Sequence, residues 1–425
     1  MEPGPAVVSE LRLSEVSQRH DAPRVEDPAA RVREETARLL SQAALSPGAR
    51  VAITAGSRGI RDIADIYRAI VSAVREAECE PFLFSSMGSH GRGTAEGQRE
   101  VLESLGVTEE LVGAPVFCSE RVRLVGETRG PLPGLPVYVA EEAAEADAML
   151  PVNRVKPHTS FRGPQESGLM KMLAVGAGRA EGASMVHRLG WAKMVDAIRS
   201  IGSVVLERLP VIGGIAVVQN GREEPAVVQG VPAERMPAEE AGLLELARGY
   251  LPRLPADDLD VLIVREMGKD YSGTGMDTNV LGRLRLEGLP EPESPRIRYL
   301  GVLDLSEASH GNATGVGLAD FTTRRLAKKI DPEATYLNCL TSGGPIRAAV
   351  PMTLEDDRAL LDAVWQALKP LRDSEVRMMV IDNTLHLERL WVSDPLVEEV
   401  SSLEGAELSG EPESLQFDAA GRLKL

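Results

Sequence analysis

Three of the six histidines in this chain stand where they could do chemistry. His90 sits in the glycine-bracketed run SSMGSHGRGT, His158 follows NRVKP, and His187 closes GRAEGASMVH. Lys171 lies between the last two, in the apolar, glycine-rich GLMKMLAVGAG. Imidazole can act as base, acid or metal ligand near neutral pH because its ordinary pKa is about 6.5. A lysine in an apolar segment is costly unless it is paired, neutral or used covalently. Taken singly, the same residues also read as loop histidines and as a surface lysine whose ammonium reaches water. For His90 the two readings balance. For His158 and Lys171 taken alone, the plain reading is the simpler.

Cationic residues cluster beside these groups. Ser57 and Arg58 lie in AGSRG, a turn between an apolar strand and an amphipathic helix, and such a turn is a natural anion cradle. It matches neither GxxxxGK[ST] nor GxGxxG. Lys269 and Asp270, in REMGKDYSGTG, follow the apolar run DVLIV. His310, in EASHGNATG, is a loop histidine of the same style and a candidate for a supporting role, whereas His20 and His386 have no supporting context. The cysteines Cys79, Cys118 and Cys339 form no CxxC pair, which argues against a disulfide framework, an iron–sulfur cluster or a structural zinc site.

The elements that must carry these residues follow from periodicity. A strand over 49–54, a helix over 61–78, a strand over 81–86 and a helix over 94–106 with Thr94 as N-cap predict a parallel α/β layer. In such layers ligands bind beyond the carboxyl ends of the strands, where AGSRG and MGSHGRG both lie. Further on, 146–155 reads as one buried strand, 191–205 and 237–251 as helices, and 211–221 as part of a strand pair. Pro252 and Pro255 suggest a boundary, so the expected domains are 1–255 and 256–425. The second half alternates again: strands at 260–264, 298–305 and 376–382, and helices over 317–330 and 354–371. The 425 residues exceed one ordinary core, and the fold class expected is α/β with two such domains.

Composition bounds the partners. With 47 Lys+Arg against 64 Asp+Glu the formal charge is −17, which disfavours nucleic acid and anionic membrane. A small anionic substrate remains compatible, because Arg58, Arg61, Arg154, Lys156, Arg162, Lys171 and Lys269 concentrate near the candidate site. No apolar run approaches the roughly 18–20 residues of a membrane span, and the acidic N-terminus is no signal peptide, so a cytoplasmic protein is expected.

Taken in order, these residues resemble the nickel-dependent lactate racemase family, whose members use a nickel-pincer nucleotide. The match runs through a Ser-Arg turn (Ser57, Arg58), a Gly-x-His turn (Gly88, His90), a Pro-His loop (His158), a lysine among glycines (Lys171), a later histidine (His187) and a Lys-Asp pair (Lys269, Asp270). It covers roughly residues 45–280. The resemblance implies that Lys171 is joined to the cofactor through a thioamide and that His187 is the protein ligand to nickel. It also implies His90 and His158 as the acid/base pair, one on each face of the substrate. Ser57 and Arg58 would contact cofactor, Arg58 and Lys269 would hold the substrate carboxylate, and the site would lie in the cleft between the domains. The activity implied is racemisation or epimerisation of a 2-hydroxy acid by reversible hydride transfer, with cofactor-making enzymes as partners.

The chain departs from the family pattern at Ala55-Gly56, at RGPQESGLM before Lys171 and at VREMG before Lys269. The expected substrate is accordingly a 2-hydroxy acid other than lactate. Two other classes stay open: a zinc hydrolase built from His90, His158 and His187, and a non-catalytic protein that binds the cofactor or another ligand.

Overall fold

The structure, a computed structural model, describes residues 11–19, 23–57, 59–370 and 372–425. Arg58 and His20 lie outside the described residues. The chain separates into two compact units: Ala22–Leu251, and Pro252–Leu425 together with the N-terminal strand Arg12–Gln18. Both are α/β. Among the described residues no helix is long and apolar enough to cross a membrane.

The unit Ala22–Leu251 is organised by a four-stranded parallel sheet in the order Val116–Phe117, Glu80–Ser85, Arg50–Ala55, Ala148–Leu150. Strand Arg50–Ala55 is buried after its first residue, as expected of a central strand covered on both faces. Helix Ile63–Glu76 lays Ile63, Ile66, Tyr67, Ile70, Val71 and Val74 against this sheet at helical spacing. Thr94 caps helix Ala95–Ser104 by accepting from Gly97 N at 3.1 Å, as the sequence predicts. From Arg50–Ala55 the chain moves outward on one side and returns on the other as Ala148–Leu150. The point beyond their carboxyl ends is therefore the topological switch point at which such sheets bind ligands.

The single strand expected over 146–155 is two strands. Ala148–Leu150 stays in the parallel sheet, while Val152–Arg154 pairs with Gly213–Gln219 in a separate sheet that also contains Pro225–Pro232. Pro151 is the reason: it has no N–H to continue the first ladder, and its carbonyl accepts from Ile215 N at 2.9 Å in the second.

The other unit holds an eight-stranded sheet. Five strands are parallel, in the order Met352–Leu354, Phe321–Thr323, Arg296–Leu305, Asp258–Met267, Met378–Ile381. Three antiparallel strands follow: Arg389–Ser393, Arg12–Gln18 and Ala406–Ser414. Strand Arg12–Gln18 falls in the range 1–255 expected of the first domain, yet its hydrogen bonds are made in this sheet. The helix expected over 317–330 is broken up: a 3-10 turn Val316–Leu318 leads into the buried strand Phe321–Thr323, and only Arg324–Lys329 is α-helical. The run Phe-Thr-Thr suits a central strand, and Thr323 then caps the short helix through Leu326 N.

One buried ion pair ties the sheet of the first unit to helix Arg179–Arg188, which carries His187. Arg179 is 1% exposed. It donates to the Glu142 carboxylate, to Arg121 O at 2.8 Å and to Ser85 O at 3.3 Å. Removing one partner strands a buried charge, which typically costs about 3–5 kcal/mol. Glu142→Ala is expected to lower unfolding stability by about 3 kcal/mol, read from denaturant midpoints; a loss below about 1 kcal/mol would show the pair to be incidental.

Candidate active site

Ser57 lies two residues past strand Arg50–Ala55, at the switch point. The next strand, Glu80–Ser85, runs into the turn that carries His90, and Ser86 N donates back to Ala55 O at 2.7 Å. Gly91 (φ +63°) passes so close to helix Ala95–Ser104 that a Cβ there would sit 2.5 Å from the Gly97 carbonyl, so only glycine permits the turn. The outcome is a direct hydrogen bond between Ser57 Oγ and His90 Nδ1. His90 is exposed.

Lys171 ends the helical turn Leu169–Lys171, which continues as the π-helix Met172–Gly176 and then as helix Arg179–Arg188 with His187 near its end. Short π-helical stretches are frequent at functional sites, where the extra residue re-aims a side chain. Its outer face receives the two turns described above. A Cβ at Gly56 would meet Met172 Cε at 3.0 Å, one at Gly88 would meet Ala183 Cβ at 3.2 Å, and one at Gly93 would meet Ala180 Cβ at 3.0 Å. The Ser57–His90 turns and the Lys171–His187 segment are thus packed on one another.

His158, Lys171 and His187 converge on two aromatic rings. His158 stacks on Phe161 with centroids 4.3 Å apart and an interplanar angle of 29°. Lys171 Nζ lies 5.6 Å from the centre of the same ring, within cation–π range. Phe161 stacks on Trp191 at 6.3 Å, and His187 meets Trp191 edge-on at 6.1 Å. Burial first, and then the charge of Lys171, hold the His187 imidazole below its ordinary pKa. The lowered basicity favours the neutral imidazole, the state a metal ligand requires.

Two buried acids position this cluster. Glu166, with 0% side-chain exposure, accepts from His158 N at 2.6 Å and Gly163 N at 3.0 Å and pairs with Arg248 at 2.6 Å. It thereby folds the 158–166 loop onto helix Met236–Tyr250. Glu240, on the same helix, accepts from Met170 N at 2.8 Å, at the start of the lysine segment. Gly168 leaves room for it, since a Cβ there would lie 2.5 Å from the Glu240 carboxyl carbon. Burial pushes Glu240 up to about 7, against the hydrogen bonds from Met170 and Leu169.

Sequence reasoning placed Ser57, His90, His158, Lys171 and His187, all of which lie in this unit. It missed Phe161, Trp191, Glu166, Glu240 and Arg248. Phe161 lies in the same loop as His158, and Trp191 is one of three tryptophans and follows His187 closely, so both carried a signal. The acids and Arg248 carry no such signal, because only the fold places them against the site. Arg58 lies outside the described residues. Lys269 belongs to the other unit, two residues past its central strand Asp258–Met267. There Nζ donates to Gly273 O at 2.5 Å and Asn338 Oδ1 at 2.7 Å. His310 is exposed after Ser309, whose Oγ accepts from Lys269 N at 2.8 Å. Among the described residues no group of three or more His, Cys, Asp or Glu is placed to hold a metal ion.

Residues 63–250 match a family described as a domain of unknown function (DUF362), a range that includes His90, His158, Lys171 and His187 but not Ser57 or Lys269. No curated protein matches the chain. The fold is similar to that of the lactate racemase apoprotein from Thermoanaerobacterium thermosaccharolyticum. The TM-score is 0.55 at 12% identity, over 90% of this chain and 95% of that one. At that identity the likeness is one of fold: a mixed α/β architecture with large, mostly parallel sheets.

Glu240 yields a pH prediction. A buried acid whose folded pKa is raised contributes stability that is complete below the unfolded value and is lost as pH rises through the folded one. Between about pH 5 and 8 the wild-type protein should therefore lose stability relative to Glu240→Gln, by on the order of 3 kcal/mol. Parallel pH dependences of the two unfolding midpoints would show that folding does not raise the Glu240 pKa.

Proposed function

We propose that the protein is a racemase or epimerase of a 2-hydroxy acid that holds a nickel-pincer nucleotide through Lys171 and His187. The observation that carries this reading is the convergence of Lys171, His187 and His158 on the Phe161–Trp191 pair, with the Ser57–His90 turn packed on the same helical segment. The fold likeness to lactate racemase apoprotein supports it.

The residues present suit such a group. His187 offers one neutral imidazole, and a cofactor that brings its own carbon and sulfur donors needs only one protein ligand to complete a planar nickel site. Lys171 is half-buried beside an aromatic ring, where conversion of the ammonium to an amide-like linkage removes a charge that burial penalises. When bound, the group supplies reversible hydride acceptance. The chain's own part is to bind, orient and move protons. Glu166 and Arg248 hold the His158 loop, Ser57 orients the His90 ring, and the aromatic pair excludes water from the side of the site it walls. Arg58 and Lys269 are proposed to hold the substrate carboxylate as charge-assisted donors, and cofactor-making enzymes are the proposed partners in loading.

A zinc hydrolase needs three protein ligands around one open position. The described residues place no such group, which favours the single-ligand reading. A non-catalytic cofactor binder is separated from the proposal by turnover. After co-expression with cofactor-making enzymes, the protein is expected to contain nickel and to interconvert the stereoisomers of at least one member of a panel of 2-hydroxy acids, read by chiral chromatography. His187→Ala should lose nickel. His90→Ala should keep it and lose at least about 100-fold in rate. A nickel-loaded protein inactive on the whole panel would overturn the racemase reading.

A further inference from the structure

Exposed apolar side chains are not spread evenly over this chain. Among the described residues, six large ones stand between 336 and 352: Tyr336, Leu337, Leu340, Ile346, Val350 and Met352. All belong to the unit that contains Pro252–Leu425. Leu337 is 65% exposed and Leu340 69%. From Thr335 to Leu354 the sequence reads TYLNCLTSGGPIRAAVPMTL, and its one charged residue, Arg347, is buried. Single exposed apolar residues are ordinary, but a cluster without exposed charge is not, in a chain with 26% charged residues and a formal charge of −17.

The segment is anchored from beneath. Helix Pro332–Thr341 buries Thr335 and Cys339 on its inner face, where Thr335 Oγ1 accepts from Ala313 N at 3.0 Å. On the same face Asn338 Oδ1 accepts from Lys269 Nζ at 2.7 Å and from Thr314 Oγ1 at 2.8 Å. Tyr336, Leu337 and Leu340 fall on the opposite face by helical spacing. The chain then turns, with Gly344 N donating to Cys339 O at 2.9 Å, and the 3-10 turn Pro345–Ala348 packs against the helix. Arg347 donates to Leu284 O from Nε at 3.0 Å and from Nη2 at 2.8 Å, and its own carbonyl accepts from Gly315 N at 2.9 Å. Ile346, Val350 and Met352 are left outside, and Met352 begins the edge strand of the eight-stranded sheet.

Size and charge select the occupant. Together the six side chains expose on the order of 600 Å², the upper end for one patch on a monomer and most of the roughly 800 Å² that each partner gives to a standard interface. Two chains of like charge meet most readily on a face free of exposed acids, and a two-fold pairing brings one patch against itself. The flanks carry both signs, with Arg324 paired to Glu355 at 2.7 Å, as the rim of an interface does. A basic partner drawn to this acidic chain would instead need acids on the face itself.

We propose that this face joins two copies of the chain in an isologous dimer, with Leu337 and Leu340 of each at its centre. The proposal stands independently of the 2-hydroxy acid reading. The helix that the dimer covers is the one whose inner face holds the Lys269 ammonium through Asn338.

Fluorescence-detected sedimentation of the full chain, from about 1 nM to 100 μM, is expected to show a concentration-dependent species of twice the chain mass. Leu340→Glu should leave the far-ultraviolet spectrum unchanged, because the side chain is mostly exposed in one copy, and raise the dimer Kd about 30-fold or more. Leu337→Ser is the milder second variant and should weaken the dimer in the same direction. Leu246→Glu, at an exposed leucine of the unit Ala22–Leu251, should leave the Kd unchanged. A monomer across the whole range overturns the proposal. So does a dimer that Leu340→Glu and Leu337→Ser leave intact, or one that Leu246→Glu weakens equally.

Discussion

The structure depends on holding a lysine in a half-buried setting against an aromatic ring and beside a histidine. Lys171 is neighboured by the fully buried Met170, Leu173 and Ala174 and faces Phe161. An ammonium in that setting gives up part of its hydration, which its surroundings must compensate unless its charge is consumed. The face of Phe161 supplies part of this, the lowered basicity of His187 keeps a second cation from forming beside it, and Glu240 holds the head of the segment through Met170 N. The π-helix from Met172 to Gly176 belongs to the same compromise, since it separates the helical turn that aims Lys171 from the helix that presents His187.

The two compact units share a plan, each seen by itself. In both, a central parallel strand has later strands added to one side before a final parallel strand returns on the other. Ser57 stands two residues beyond the central strand of one unit, and Lys269 stands two residues beyond that of the other. Both are therefore polar residues at switch points, where two loops diverge and backbone N–H groups become available to ligands. The sequence carries this in a simple form: an apolar strand, one or two small residues, then a polar or cationic side chain.

How much was legible in the sequence follows from where each signal is written. The alternation of strand and helix between Arg50 and Ser104 is local, and it was read correctly down to the Thr94 cap. Strand Ala406–Ser414 was not, because AELSGEPES is an acidic, mostly exposed segment whose identity as a strand comes from pairing with Arg12–Gln18 at the other end of the chain. Pro151 was visible, but the consequence that the flanking strands enter different sheets is tertiary. Among the site residues, rare histidines and a lysine among glycines stood out by type. Glu166, Glu240 and Arg248 did not, since charged residues on or near a helix ordinarily face water and only the packing shows that these do not.

The central claim is that Lys171 serves as an attachment point. The most direct measurement is peptide mass spectrometry of protein co-expressed with cofactor-making enzymes, compared with protein expressed without them. The account predicts a single added mass that maps to Lys171 in the first sample and is absent from the second and from a Lys171→Ala variant. An unmodified Lys171 in nickel-replete, co-expressed protein would contradict it.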